Sequence, residues 1–240
     1  MSERIYDALA SSVSTGEQEC AVAGHRVGNR IDAGWKPPRL QLFCKRVFDI
    51  AISGTLLICI GPFLLLLALA IRLESPGSPL FVQKRWGKDQ KEVSIYKFRS
   101  MWADKGDHSG VQQTVAGDSR ITKIGAFIRK TNIDELPQLL NVLLGDMSLI
   151  GPRCHPIGMK SAGMLYEDLC PDYHERHQMR PGITGLAQVR GLRGPTVRSR
   201  DGRARLASDL YYVRHYSFML DLKIFFGTFY REIMRGGRGF

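Results

Sequence analysis

At 240 residues the chain is long enough for one sizeable domain plus an appendage. Its 34 Lys and Arg against 23 Asp and Glu leave a formal net charge of +11, which points to an anionic partner: nucleic acid, acidic lipid or a phosphorylated small molecule. The 5 cysteines (Cys20, Cys44, Cys59, Cys154, Cys170) are scattered without a C-x-x-C, which excludes a disulfide framework and favours a reducing, cytosol-facing protein.

Residues 1–38 are polar, contain Gly and Ser, and hold no apolar period, so they read as a flexible tail. They lack the apolar core of a signal peptide. Residues 50–71 then carry no charge over about 22 positions, enough to cross a bilayer as a helix. Basic residues flank this run on both sides (Lys45, Arg46; Arg72, Lys84, Arg85), whereas a segment that crosses once usually has its basic excess on one side. Gly61-Pro62 falls at the midpoint and leaves arms of roughly 16 Å, about half a hydrocarbon core. A re-entrant helix that enters and leaves by the cytosolic leaflet fits these features, and so does a kinked spanning helix.

Further on, Leu80-Phe81-Val82 and the alternating residues 93–99 read as strands joined through Trp86-Gly87-Lys88-Asp89-Gln90. Residues 101–117 read as a polar loop and residues 121–130 as a short helix. Residues 148–150 end at the rigid turn Gly151-Pro152-Arg153. Residues 166–179 read as helical, and 180–185 as a turn. The arginines from Arg190 to Arg205 read first as a solvated basic surface, with binding of anionic headgroups or the nucleotide as the alternative. Phe218, Leu222, Phe225, Phe226, Phe229 and Ile233 form the stripe of a last amphipathic helix, packed on the core with an edge at the membrane. Cys154-His155 and Cys170-x3-His174-x2-His177 match no standard zinc spacing.

Between these stretches, Asp134 and Glu135 stand side by side where the leucine periodicity of residues 136–144 begins; Gly145 is placed to end it and Pro137 to sit in its first turn. Adjacent helical residues diverge by about 100°, so the two carboxylates do not form a shared-proton dyad. Acids at such a position are ordinary helix chemistry, and both Asn132-x-x-Glu135 and Thr131-x-x-Asp134 resemble capping boxes. A phosphate would be favoured at the same place.

Seven motifs in order add to this. They are Lys45-Arg46-x-Phe48-Asp49, Tyr96-Lys97-Phe98-Arg99-Ser100-Met101, Asp134-Glu135-Leu136-Pro137-Gln138-Leu139, Asn141-Val142-Leu143 with Gly145-Asp146-Met147-Ser148, Gly151-Pro152-Arg153, Arg180-Pro181-Gly182-Ile183-Thr184-Gly185 and Asp221-Leu222-Lys223. Together they resemble the bacterial sugar transferases of the small monotopic phosphoglycosyl transferase type, which initiate exopolysaccharide, capsule or O-antigen units. The resemblance implies a membrane-associated α/β fold: a tail at 1–38, a re-entrant membrane helix at 39–73 and a compact cytosolic catalytic domain at 74–240 with amphipathic interfacial helices. It implies a UDP-sugar donor, undecaprenyl phosphate as acceptor, release of UMP, Mg²⁺ as cofactor, membrane lipids as partners and the bacterial inner membrane as location, the domain facing the cytosol. Nucleic acid is not an expected partner; a dimer is one option for the oligomeric state.

By the same resemblance, Asp134 is the nucleophile that forms a phosphosugar-aspartyl intermediate and a ligand of the metal, and Glu135 assists in acid–base or positioning work. Such a nucleophile divides one displacement into two easier ones. Arg129 and Arg153 are the first candidates to clamp phosphate oxygens, with Arg85, Lys97 and Arg99 behind them. Three departures from the usual pattern stand out: Cys154 where proline often follows Gly-Pro-Arg, Gly61 where serine often precedes the bend proline, and residues 186–193, which leave the sugar undetermined. A basic membrane-anchored binding module is the rival class, but the basic residues are not interleaved with aromatic base-stacking positions. No G-x-G-x-x-G or P-loop supports a soluble nucleotide enzyme.

Overall fold

Helix α1, Arg39–Glu74, is 36 residues long and apolar on nearly every side. It belongs to a computed structural model that describes residues 37–104, 117–194 and 196–235; most of the expected tail and of the 101–117 loop lie outside them. Helix α1 runs on through Pro62, where the sequence suggested a break between two arms. Pro62 removes the hydrogen bond to the Ile58 carbonyl, and Ile58 is 81% exposed, so the loss falls on the outer side of the helix.

The inner side of α1 is continuous. Lys45, Asp49, Ser53, Leu64, Leu67 and Ile71 are buried, and Leu57 and Ile60 between them are half-buried, a spacing of three or four residues throughout. The opposite side exposes Leu40, Phe43, Val47, Ile50, Leu65, Leu66 and Leu69.

After α1 come β1 (Leu80–Trp86) and β2 (Glu92–Phe98), an antiparallel hairpin in register from Leu80 opposite Phe98 to Trp86 opposite Glu92. Helix α2 (Lys123–Lys130) starts two residues later than expected because Thr122 caps it, its Oγ1 accepting from the Gly125 amide at 2.9 Å. A 3₁₀ turn, Ile133–Glu135, leads to α3 (Gln138–Leu144), which Gly145 ends in the left-handed region at φ 94°. Strand β3 (Ser148–Ile150), the small hairpin β4 (Lys160–Ser161) and β5 (Met164–Leu165), and β6 (Gly182–Thr184) follow. The chain closes with α4 (Leu186–Val189), α5 (Ser199–Arg214) and α6 (Phe218–Arg235).

Several expectations change. Residues 166–179 are not one helix but two 3₁₀ stretches, Tyr166–Asp168 and Tyr173–Gln178, because Pro171 has no N–H to give and disfavours α-geometry at Cys170. Part of the expected turn at 180–185 is β6, paired in parallel with β3. Arginines expected on a solvated surface are partly internal: Arg205 is buried and donates to the Gly194 carbonyl at 2.8 Å, and Arg190 stacks over Tyr211 and reaches Ser208. Helix α6 packs partly otherwise than its expected stripe: Ile224, outside the stripe, is fully buried and Phe225 meets Phe48 edge-on, while Phe226 and Phe229, within it, are each 64% exposed.

Two clusters form the part of the core next to the carboxylates. One gathers Ile95, Leu139, Val142, Met147, Ile150, Val213 and Ile224; the other joins Leu64, Leu67 and Ile71 of α1 to Phe98 and Ile128. Leu57, Ile60 and Leu136 touch both, so α1 is a structural member of the domain along its length.

The early motifs are fasteners of that helix. Lys45 Nζ donates to the Ile150 carbonyl at 2.7 Å and pairs with Asp221 at 2.9 Å. Arg46 donates to the Val142 and Leu143 carbonyls at the end of α3, the first of which also accepts from the Gly145 amide. Asp49 accepts from Ser148 Oγ and from the Leu149 amide, both at 3.0 Å. At the other end of α1, Arg99 donates to the carbonyls of Ile71, Ser75 and Pro76.

Candidate active site

The turn that carries the carboxylates begins with Asn132, in the left-handed region at φ 57°, ψ 15°, a conformation asparagine tolerates better than most residues. Neither capping box forms. Asn132 Nδ2 reaches Glu232 on α6 at 3.4 Å, and Thr131 Oγ1 donates back to the Phe127 carbonyl. Pro137 immediately precedes α3, so Asp134 and Glu135 lie ahead of that helix, in the 3₁₀ turn, and not in its first turn as the spacing suggested. Their electrostatics come mainly from side chains.

Glu135 is held on both sides. Lys97 Nζ from β2 lies 2.7 Å from Oε1, and Arg153 forks onto both oxygens, with Nη1 at 3.1 Å from Oε2. Burial alone would push this carboxyl up, but the charges of Arg153 and Lys97 outweigh it and hold Glu135 well below the usual range. The same carboxylate pushes the Arg153 guanidinium further up.

Asp134 is the opposite case. It is 8% exposed, and among the described residues no hydrogen bond or ion pair holds its carboxylate. Burial pushes its pKa up; Lys97 works against that, Glu135 adds to it, and Arg129 and Arg153 lower it. One carboxylate is therefore fixed and committed, while its neighbour is available for chemistry.

Both open on a cavity of about 890 Å³ whose wall includes all seven residues singled out from the sequence: Asp134, Glu135, Arg129, Arg153, Arg85, Lys97 and Arg99. Their commitments differ. Among the described residues Arg129 donates only to Ser100 Oγ, at 3.3 Å, and its buried Nε has no partner. Arg85 braces the turn after Arg153 by donating to the Cys154 carbonyl at 2.8 Å and to Gln83. Arg99 gives its donors to the end of α1, as above. Arg129 and Arg153 thus remain the cations best placed for a ligand.

The sequence reading missed the props of Arg153. Arg176 donates to the Arg153 carbonyl and pairs with Asp209 at 2.7 Å, both side chains 1% exposed. An arginine within the acid-flanked run Tyr173–Gln178 was the available signal, but only its burial distinguishes it. Gly151 and Gly182 are a second prop: a Cβ on either would overlap the backbone opposite. The Gly-Pro-Arg and Arg-Pro-Gly motifs therefore interlock backbones across β3 and β6. His155 and His177 pack into an aromatic cluster with Tyr166 and Tyr173, and burial first, then Arg176, lowers both imidazoles, His177 to about 3.

Among the described residues no group of three or more His, Cys, Asp or Glu side chains stands together to hold a metal. Magnesium, however, commonly takes only one or two carboxylates and completes its shell from water and substrate phosphate. Among the described residues no hydrogen bond or ion pair occupies the Asp134 carboxylate, which fits that arrangement, whereas the other carboxylates of the cavity wall are engaged, Glu135 by Lys97 and Arg153 and Glu232 by Arg193 and Asn132.

Comparison with known proteins agrees with this architecture. A family model described as bacterial sugar transferase matches residues 40–235. The exopolysaccharide production protein PSS of Rhizobium leguminosarum bv. phaseoli is 61% identical over 201 residues, covering 84% of this chain and 100% of the relative. The undecaprenyl-phosphate glucose phosphotransferase of Komagataeibacter xylinus is 47% identical over 79% of this chain, which spans only 36% of that relative. A UDP-glucose:undecaprenyl-phosphate glucose-1-phosphate transferase of Caulobacter vibrioides is also 47% identical, over 77% of this chain and 67% of its own length. With its cavity, paired carboxylates and fastened apolar helix, the chain belongs to the bacterial sugar transferase family.

Proposed function

We propose that this protein moves a hexose 1-phosphate from a UDP-hexose to undecaprenyl phosphate and releases UMP, as the first membrane step of exopolysaccharide, capsule or O-antigen assembly. The observation that carries this reading is the buried Asp134, whose carboxylate has no hydrogen bond or ion pair among the described residues, beside a Glu135 already held by Arg153 and Lys97. In the first step an Asp134 oxygen attacks the sugar-bearing phosphorus. The bond from that phosphorus to the bridging oxygen breaks, and the oxygen leaves with its electron pair as part of UMP. In the second step an acceptor phosphate oxygen attacks the same phosphorus, the acyl phosphate bond breaks, and Asp134 returns to a carboxylate.

Glu135 serves as a positioning group: with its pKa held low and both oxygens occupied, it is a poor proton carrier but a firm anchor for Arg153 and Lys97. Arg129 and Arg153 neutralise phosphate oxygens. Magnesium, when bound, would be held by Asp134 and donor phosphate oxygens and would offset charge on the transferring group.

Helix α1 supports a one-sided membrane anchor at the cytosolic face of the bacterial inner membrane. Residues near its start (Lys45, Asp49) and near its end (Leu67, Ile71, Ser75) rest on the same domain. A hydrocarbon layer of about 30 Å cannot lie between two ends that both dock there, whereas the exposed apolar side can sink into one leaflet. The active site is then kept near the depth of the acceptor phosphate.

Purified protein in nanodiscs, given labelled UDP-hexoses, undecaprenyl phosphate and Mg²⁺, should form a lipid-linked sugar and UMP. UDP-glucose is the first donor to assay, because the two transferases from Komagataeibacter and Caulobacter are named for glucose. Exchange of label between UMP and the UDP-hexose without any acceptor is the signature of the covalent intermediate. Normal exchange by Asp134→Asn would defeat the proposal.

A further inference from the structure

Arg153 and Arg129 are held at the cavity wall by different means. Glu135 grips the Arg153 guanidinium and Arg176 its carbonyl. Arg129 has no such grip: among the described residues its guanidinium donates only to Ser100 Oγ, at 3.3 Å. Its place is therefore set by the helix that carries it. Helix α2 has 8 residues, too few to keep its shape without outside contacts.

Those contacts close a ring with the end of α1. Glu74, the last residue of α1, accepts from the Ile124 amide in the first turn of α2 with both carboxylate oxygens, at 3.0 and 3.3 Å. Thr122 caps the same turn through Gly125, and its own amide donates to the Ser100 carbonyl at 3.1 Å. Gly125 lies so close to that carbonyl that a Cβ would stand 2.0 Å from its oxygen. Ile128 shares one apolar cluster with Leu64, Leu67 and Ile71 of α1. Arg99, next to Ser100, completes the ring by donating to the Ser75 and Pro76 carbonyls just beyond α1, at 2.6 and 2.9 Å.

We propose that Glu74 is a positioning residue for Arg129: it holds the first turn of α2 against the end of the apolar helix, so that the guanidinium near the other end of α2 meets the donor phosphates. The proposal rests on the transfer reading above and deepens it. A carboxylate suits the task in two ways. It satisfies an N–H that α2 cannot satisfy itself, and it stands at the positive end of the helix. Glu74 is half-buried and is not among the residues that line the cavity, so it acts through α2 and not on the substrate. The helix proposed as the anchor thereby also seats one of the cations of the site.

A double-mutant cycle on UMP–UDP-hexose exchange, with the protein in nanodiscs, tests this. Glu74→Ala should lower kcat/KM on the order of ten-fold, the scale of a displaced phosphate contact. Glu74→Gln, which keeps an acceptor oxygen, should recover most of the loss. In an Arg129→Gln background Glu74→Ala should cost less than about two-fold, because no guanidinium is left to misplace.

A loss of folded protein lowers activity alike in both backgrounds, so an equal, additive loss would overturn the proposal and leave Glu74 a helix cap alone. An unchanged kcat/KM in Glu74→Ala would overturn it as well. If Glu74→Ala does not fold, Glu74→Asp, shorter by one methylene, takes its place in the cycle with the same outcomes. Affinity for UDP, measured by calorimetry, should show the same coupling between Glu74 and Arg129 without any turnover, and its absence there would overturn the proposal. Absence of exchange in the unmodified protein, with that coupling intact, would count against the transferase reading alone.

Discussion

Lys45 and Asp221 stand 176 positions apart in the chain, yet Lys45 Nζ lies 2.9 Å from Asp221 Oδ2 with both side chains closed to solvent. Tyr212 closes the group by donating to Asp221 at 2.7 Å. The pair fastens the head of the apolar helix to the last helix of the domain, beneath the strand that leads to Arg153. Removing one partner leaves the other charge buried, at a cost of about 3–5 kcal/mol. Asp221→Leu should lower the melting temperature by roughly 10 °C, and adding Lys45→Met should restore most of it. Thermal unfolding of the single and double variants in one detergent checks this; additive losses would show that the two residues are not coupled.

Asp134→Asn should separate activity from stability. Exchange should fall by more than about 10³-fold, because the amide cannot attack phosphorus. The melting temperature should hold or rise, since the native carboxylate is desolvated and, among the described residues, has no hydrogen bond to lose. A marked drop in melting temperature would mean that Asp134 has a structural role that its surroundings do not reveal.

Glu135 should behave in the reverse way. Its ordinary value of 4.5 is lowered in the folded protein by Arg153 and Lys97 against the opposing effect of burial. Above pH 4.5 the unfolded chain and the folded protein both carry the charge, and the full stabilisation is present. As pH falls below 4.5, the unfolded chain takes up the proton first, and the stabilisation declines toward the folded value. The difference in melting temperature between the unmodified protein and Glu135→Gln should therefore be large at pH 7 and shrink on approach to pH 4. A constant difference would refute the linkage.

Arg153→Lys should lower kcat/KM by on the order of 10²-fold, because an ammonium cannot fork onto Glu135 and still face a phosphate. Arg176→Lys should give a similar but smaller loss through the Arg153 carbonyl and Asp209 contacts. Its effect should appear in kcat/KM and in melting temperature together, whereas that of Arg153→Lys should appear mainly in kcat/KM.

Single cysteines at Arg39 and Arg72, near the two ends of α1, test the one-sided anchor. In a background where the native cysteines are serine, both positions should react with an impermeant maleimide from the same side of inverted membrane vesicles. Labelling of the two positions from opposite sides would reject the one-sided anchor.

Much of the architecture was legible along the chain because it follows from local pattern. The alternation of residues 93–99 marked β2, the leucines before Gly145 marked α3, and the uncharged run of 50–71 marked the apolar helix. The resemblance carried by seven short motifs named the family and put Asp134 and Glu135 at its centre. Local pattern misled where one residue overrode a period. Pro171 divided the expected helix at 166–179, while Pro62 sat harmlessly on the outer side of α1.

The order of residues by itself determined which groups this protein has to work with: an apolar anchor, a cationic surplus and two adjacent carboxylates. Only the tertiary structure decided how they are used, by bringing Lys97, Arg153 and Arg176 from distant segments around one turn. Neighbours in sequence, Asp134 and Glu135 have opposite fates because their charged surroundings come from strands and loops far away in the chain. Electrostatic environment is a property of distance in space, and spacing along a chain does not encode it.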